Sequence, residues 1–530
     1  MRSASEPSRP PRSRSDTGVA TAPDLAGAAR PGRLTEPERD LAAVPLIPRY
    51  ARLGDPFHVP VAATPLRGPH LAHFNSRLAD ELGLPVEAGP ELTAALAGDR
   101  PWPGYSASAS VYSGHQFGHW VSQLGDGRAL LIAELRTPGG ERRELQLKGS
   151  GLTPYSRGLD GRAALRSSIR EYLCSEAMHA LGVPTTRCLS LIASAEPVQR
   201  ETSETAAVVC RVAPSFVRFG QFEYFSYLAQ SEPLSRLADH VIEEHYPHLQ
   251  GRADRHALWL TAVVERTAEL IAQWLALGFC HGVMNTDNFS VLGLTLDYGP
   301  FGFMDRFRQY HVCNHSDFDG RYAYGAQPKV GQWNCSHLLR ACLPLLSAQP
   351  EAARETANGI LEGYAPAYHQ AMRRRWADKL GLREVREGDT GLVNDLLAVM
   401  QRGRNDFTRT FRHLADIRTD TDGPAHGVRE HLTDIEAFDA WIVDYRRRLR
   451  AEQNTDDARR AEAMNRINPK YVLRNHLAQV AIEKAETGDY SEIAVLFELL
   501  RRPYDEQTGM DAYAAEPPAD RRDIEVSCSS

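Results

Sequence analysis

The stretch "FCHGVMNTDNFSVLGLTLDYGPFGF", residues 279–303, decides how this chain is read. It follows "HALWLTAVVERTAELIAQWLALGF", residues 256–279, where Leu260, Val263, Val264, Ile271, Trp274 and Leu275 recur with the period of a helix and Gly278 marks the stop. His281-Gly282 then opens a loop carrying Asp287 and Asn288. "FSVLGLTLDYG" is expected to form two short strands around Gly293, leading to Asp297-Tyr298-Gly299. Carboxylates and an amide gathered in a loop behind a long apolar helix are what a ligand site needs, because loops on a rigid scaffold carry chemistry.

Upstream the pattern changes from helical to alternating. "RALLIAELRTPGGERRELQLKGSG" holds two apolar runs around Pro138-Gly139-Gly140, a hairpin signal. In "ELQLK", Leu145 and Leu147 share one face and Glu144, Gln146 and Lys148 the other. A helix is expected at "GRAALRSSIREYLCSEAMHALGV", closed by Gly182, and further strands at "LSLIASAEPV" and "TAAVVCRVAPSFVRFG". That order predicts a mainly antiparallel sheet with one helix. After residue 218 the chain turns helical, including most of 335–502. The expected class is α+β: a small β-rich lobe over residues 41–218 and a large helical lobe over 219–515, with a disordered tail at 1–40 and a flexible one at 516–530.

Bulk composition narrows the function classes. The chain has 530 residues, and 61 basic against 68 acidic residues give a formal charge of −7, which speaks against a nucleic-acid coat or a membrane-surface protein. No apolar run approaches the ~20 residues of a membrane span. The Arg/Ser-rich N-terminus has no apolar core of a secretory signal; its bias loosely fits an organellar transit peptide, but its acids and Pro-Pro favour a disordered tail. The cysteines form no Cys-x-x-Cys, and the Cys-x-His pairs in "VCNHSD" and "NCSHLL" lack usual zinc spacing. A reduced, cytoplasmic protein is expected.

Four clusters fall in the order used by protein-kinase-like phosphotransferases. Gly125 and Gly127 flank Asp126 in a turn before a strand, and Arg128 follows. Glycine lets backbone amides approach phosphate oxygens and Arg pairs with them bidentately, although a plain hairpin turn reads the same way. Lys148, one of few lysines, ends a strand where a phosphate-gripping Lys belongs. Glu171, with Glu176 as rival, lies on the next helix and is placed to orient Lys148. Asn288 and Asp297 stand where such folds hold the metal that bridges phosphates.

The usual base position holds Val283, whereas Asp287 sits directly before Asn288. Either the domain is inactive, or Asp287 accepts a hydroxyl proton from another direction. Asp160-Gly161 stands beside the start of the Glu171 helix, and Arg211 and Arg218 near the lobe junction. Arg128, Lys148, Arg211 and Arg218 are more cations than an ordinarily bound ATP needs in the small lobe. A nucleotide turned end for end would place its β- and γ-phosphates there and make AMP the transferred group. An ordinary kinase, or a non-catalytic scaffold, remains the alternative.

The sequence resembles the selenoprotein O (YdiU) family from about residue 45 to the C-terminus. The resemblance rests on "YSGHQFGHWVSQLGDGR", "LQLKGSGLTPYSRGLDGRAALRSSIREYLCSEAMHALGVPTTR", "HGVMNTDN", "LDYGPFGFMD", "YAYGAQP" and "NPKYVLRNHLAQVAIEKAE". It implies a pseudokinase fold and an enzyme that binds ATP in a flipped orientation and transfers AMP to Ser, Thr or Tyr hydroxyls of proteins, with the enzyme itself a candidate target. By motif, Gly125, Gly127, Arg128, Lys148, Asp160, Gly161, Arg211, Arg218 and Asp297 would bind nucleotide. Asp287 would accept the proton, Glu171 orient Lys148, and Asn288 and Asp297 hold Mg2+ or Mn2+. No nucleic-acid or membrane partner is implied. Members often end in a reactive selenocysteine or Cys; here the end is "EVSCSS", so Cys528 keeps that place without a neighbouring Cys. Cys313 is the candidate redox partner for Cys528.

Overall fold

Alternating residues of the 129–148 region form the centre of an antiparallel sheet. The computed structural model describes residues 40–452, 456–522 and 524–527; of the expected N-terminal tail only Asp40 is among them, and Cys528 lies outside. The strands of the first half are β1 (His58–Pro60), β2 (His70–Phe74), β3 (Ser108–Ser110), β4 (Gly114–Gln116), β5 (His119–Val121), β6 (Ala129–Arg136), β7 (Arg142–Lys148), β8 (Ala163–Ala164), β9 (Arg187–Gln199) and β10 (Ser203–Ala213). The main sheet runs β1-β3-β6-β7-β10-β9-β2, with β8 against β10, and every pairing in it is antiparallel. β4 and β5 form a separate hairpin.

The β6–β7 hairpin turns at Pro138-Gly139-Gly140, where Gly140 takes the left-handed φ of +85° and its amide donates to the Thr137 carbonyl at 2.8 Å. Leu145 and Leu147 are fully buried on one face of β7, but Glu144, Gln146 and Lys148 on the other face are buried as well. Polar side chains at that depth need partners, and those partners make up the site described below. The helix Leu165–Ala180 packs on β9 and β10 and also against the helices Asn475–Glu486 and Ser491–Leu500, so every residue from Ser168 to Met178 is buried. Its end is closed as expected, Gly182 adopting φ +78° and Val183 donating to the Met178 carbonyl.

The apolar stripe of the 256–279 region forms the helix Arg255–Ala276, with Leu260, Val263, Val264, Ile271 and Trp274 in the core. It runs directly into β11 (Phe279–Cys280), which pairs with β12 (Gly302–Phe303) and so pins both ends of the opening stretch. Between them the expected two-stranded hairpin is reduced to a single bridge, Phe289 to Thr295, around Gly293 at φ +68°. The reason is competition: Ser290 bridges to Arg218 and Thr295 to Thr185, so each arm pairs with a neighbouring segment instead of its twin. The rest is mostly helical, as in Gln327–Ala341, Pro350–Glu362, Tyr364–Lys379, Asp389–Gly403 and Ile435–Arg450. Mixed α and β structure with an antiparallel sheet is thus observed. Among the described residues no helix is long and apolar enough to cross a membrane.

The terminal segment read as flexible is docked through its described part. Val526 is buried and bridges to Asn314, and the His315 amide donates to the Val526 carbonyl at 2.8 Å.

Candidate active site

On the polar face of β7, Glu144 accepts from the Phe216 amide at 2.8 Å, and Lys148 begins a continuous series of ion pairs. Lys148 Nζ lies 2.6 Å from Glu171 Oε2. Glu171 Oε1 accepts from Arg211 Nε at 2.7 Å, and Arg211 also donates to Gln146, its partner across the β7–β10 ladder, at 3.2 Å. Arg211 reaches on to Asp297 Oδ1 at 2.8 Å, and Arg218 takes the other Asp297 oxygen and the Asp287 carbonyl at 3.0 Å. One chain of charges therefore joins the sheet to the 279–303 stretch. Glu176, the rival for Lys148, is turned away and holds Arg187 at 2.5 and 2.8 Å.

Burial and charge set the protonation of this cluster. Desolvation pulls Lys148 down to about 8 despite the opposing Glu171 carboxylate, which leaves it mostly charged at neutral pH. Asp297 is pushed up by burial, but the Arg218 and Arg211 guanidiniums outweigh that and hold it well below the usual carboxylate range. Asp297 also sits at a left-handed φ of +55°, an unfavourable conformation for a non-glycine residue that the paired guanidiniums help to fix.

The loop is held by groups that do no chemistry themselves. His281 is buried, stacks on Trp274 and engages the Leu296 carbonyl at 2.8 Å through Nε2. Asn285 Oδ1 accepts from the Phe117 amide at 3.1 Å and the Tyr322 hydroxyl at 2.7 Å, while Thr286 Oγ1 accepts from the His115 amide at 2.7 Å. The β4–β5 hairpin is thus laid against the loop. Asn288 Nδ2 donates to the Val283 carbonyl at 3.0 Å, which fixes the amide and reserves its oxygen as the acceptor end. Asn288 and Asp297 offer only oxygen ligands, the donor type that Mg2+ and Mn2+ take.

Asp287 is treated differently from Glu171 and Asp297, the ion-paired carboxylates of the same site. It is buried, Oδ1 has no hydrogen-bond partner, and Oδ2 has a 3.5 Å contact from Gln116 Nε2. Desolvation outweighs the Arg218 charge and raises its pKa to about 7. Gly114 and Gly220 make room for it: a Cβ on Gly114 would lie 2.5 Å from Asp287 Oδ1, and one on Gly220 would strike the Ser113 carbonyl and stand 3.3 Å from Asp287 Cβ. Gly114, Gln116 and Gly220 escaped the motif reading; their only signal is the glycine- and aromatic-rich "YSGHQFGHW" and the glycine after Arg218-Phe219.

The remaining predicted residues lie beside the Lys148 end. At Gly125 (φ +121°) a Cβ would meet the Tyr155 ring at 2.5 Å, and at Gly127 the Tyr155 carbonyl at 2.8 Å. The Gly127 amide is taken up by the Gly125 carbonyl at 2.7 Å, so packing alone accounts for the two glycines as the chain stands. Gly161 backs directly onto the Gly151 backbone. Asp160 is exposed, caps the Arg162 amide at 2.9 Å and pairs with Arg200 at 2.8 Å. Arg128 makes no ion pair among the described residues; its guanidinium reaches only the Arg162 carbonyl, at 3.5 Å. Cys313 is buried, its thiol 3.1 Å from the Pro300 carbonyl, with burial first and Cys280 second pushing its pKa well up.

Comparison with known proteins identifies the family. A family model described as protein adenylyltransferase SelO matches residues 40–501. The protein nucleotidyltransferase YdiU of Methylococcus capsulatus is 71% identical over 502 residues, covering 95% of this chain and 99% of that protein. Those of Burkholderia multivorans and Burkholderia ambifaria are each 52% identical over 508 residues, covering 93% of this chain and 97% of theirs. The chain therefore belongs to the protein adenylyltransferase SelO family, whose members are nucleotidyltransferases.

Proposed function

We propose that this enzyme transfers AMP from ATP to Ser, Thr or Tyr hydroxyls of proteins, itself among them, from a flipped nucleotide held in a bilobal, kinase-like fold. The observation that carries the reading is the contrast of charges along one connected cluster. Among the described residues Lys148, Arg211 and Arg218 form ion pairs only with Glu171 and Asp297, and Arg128 forms none, while the Asp287 carboxylate, at the loop end, has no ion pair and one oxygen without a hydrogen bond. The cationic surplus suits the β- and γ-phosphates at the sheet end. In that orientation the α-phosphate would face Asp287.

In this reading the Asp287 carboxylate takes the proton of the target hydroxyl. The hydroxyl oxygen forms a bond to the α-phosphorus, the bond from that phosphorus to the bridging oxygen breaks, and pyrophosphate leaves toward Lys148 and the arginines. A base whose pKa is about 7 suits work near neutral pH. Glu171 keeps Lys148 and Arg211 in place. Asn288 and Asp297 would hold Mg2+ or Mn2+, which when bound neutralises phosphate charge. The Asp297 carboxylate already sits among groups that keep it ionised, as a metal ligand must be. Arg128, Gly125, Gly127, Asp160 and Gly161 would line the phosphate end, with Asp160 acting through Arg200.

Paired labelling tests this. Protein incubated with ATP labelled at the α-phosphate is expected to retain label, and with γ-labelled ATP to retain none. Retention from the γ position alone would make the enzyme an ordinary kinase; binding without turnover would make it a scaffold. Val526, two residues before Cys528 in sequence, bridges to Asn314, the neighbour of Cys313, and this supports a redox pairing of Cys313 with Cys528.

A further inference from the structure

A second set of ligand-type side chains lies on the far side of the β4–β5 hairpin from Asp287. His115 of β4, Glu223 of the helix Phe219–Tyr227 and His337 of the helix Gln327–Ala341 each present one ligand atom, and those atoms lie within 4.8 Å of one another. His115 Nδ1 is 2.7 Å and His337 Nδ1 3.8 Å from Glu223 Oε1. The two imidazoles face each other at 3.9 Å between ring centroids, and Trp333, beneath Arg321, walls the group at 4.0 Å from the His337 ring. Glu223 is buried, yet its Oε2 has no hydrogen-bond partner. An unpaired carboxylate oxygen at that depth is costly unless a ligand satisfies it.

We propose that His115, Glu223 and His337 form a binding site for a zinc-class divalent cation, separate from the oxygen-only pair Asn288 and Asp297. Two imidazole nitrogens and one carboxylate are the donor set of three-ligand zinc sites, with a fourth position left open. Mg2+ and Ca2+ prefer all-oxygen sets, so the two sites select different ions. Cys335, two residues before His337 in "NCSH", is fully buried and is no part of the group. The three ligands come from separate elements, so a bound cation would staple the hairpin to two helices. That hairpin carries Gly114 and Gln116 against Asp287 and binds Thr286 through the His115 amide. The cation would therefore rigidify the wall of the active site without touching the reacting atoms.

Calorimetric titration of the chelator-stripped full-length protein with zinc chloride, in excess Mg2+, tests the site. One strongly bound Zn2+ per chain is expected, together with a rise in melting temperature. His337→Ala and the near-isosteric Glu223→Gln should each weaken that step by about a hundredfold or more, since even changes outside the ligand shell cost up to that much. Their melting temperatures should no longer respond to zinc, while circular dichroism of the metal-free variants matches that of the parent. The absence of a stoichiometric step in the parent overturns the proposal. So does a step that survives unchanged in either variant, which would place the ion on the cysteines or on Asn288 and Asp297.

Discussion

The Lys148–Glu171–Arg211 cluster and the Asp287 loop lie in one connected site, but they treat buried charge in opposite ways. In the first, Lys148, Glu171, Arg211 and Asp297 are each held by an opposite charge within 3 Å. In the second, a buried carboxylate keeps one oxygen unpartnered and shares the other only with a 3.5 Å amide contact. Paired charges are locked in one ionisation state and one position, which suits groups that hold a polyanion. An unpaired carboxylate near pKa 7 is ready to change its proton, which suits a base.

The sharpest way to break that contrast is at Asp287. Asp287→Ala should lower AMP transfer by about 10²–10⁴-fold, the usual worth of a general base, with ATP affinity measured by titration little changed. An equal loss of ATP binding would move Asp287 to the holding side. The paired side should fail differently. Glu171→Gln strands Lys148 and leaves Arg211 with Asp297 alone, and breaking a buried pair in this way costs about 3–5 kcal/mol, read as an earlier midpoint in urea. Retained stability would mean that the cluster is wetter than its geometry indicates.

Arg128 has no ion pair to lose, so Arg128→Ala should leave the urea midpoint unchanged. It should weaken ATP binding by about 1.5–3 kcal/mol, the worth of charge-assisted hydrogen bonds. The pH response separates the regions further. Asp287 is raised from about 4 to about 7 on folding, so the native state binds more protons than the unfolded one across that window. Its contribution to stability is full below about 4 and lost as pH rises through 7. Asp287→Asn should therefore stabilise the chain more at pH 8 than at pH 5, while the parent's kcat/KM climbs through about 7. The smallest effect concerns the chain end: oxidised protein digested without reductant should yield a Cys313–Cys528 peptide, and its absence would leave Val526 a purely structural anchor.

Much of the fold could be read from local pattern. The Pro138-Gly139-Gly140 turn, the Gly182 helix stop and the stripe ending at Gly278 each express a short-range rule, and each element formed where that rule put it. The choice between Glu171 and Glu176 could not be read. Five helical positions separate them by about 140° around the axis, so they face different neighbours, and only the tertiary fold says that Lys148 waits on one side and Arg187 on the other. The hairpin against Asp287 was equally hidden, because it joins residues 171 apart in sequence. The two strands expected around Gly293 failed for a related reason: local alternation does not register that Arg218 and Thr185 compete for the same backbone.

With Asp287 as the proposed base, the paired glycines beside it offer a way to silence the enzyme without removing any ionisable group. One methyl at Gly114 would claim the space of Asp287 Oδ1. Gly114→Ala would thus give an inert enzyme with its full complement of charges, a cleaner decoy for trapping target proteins than any variant that removes the base.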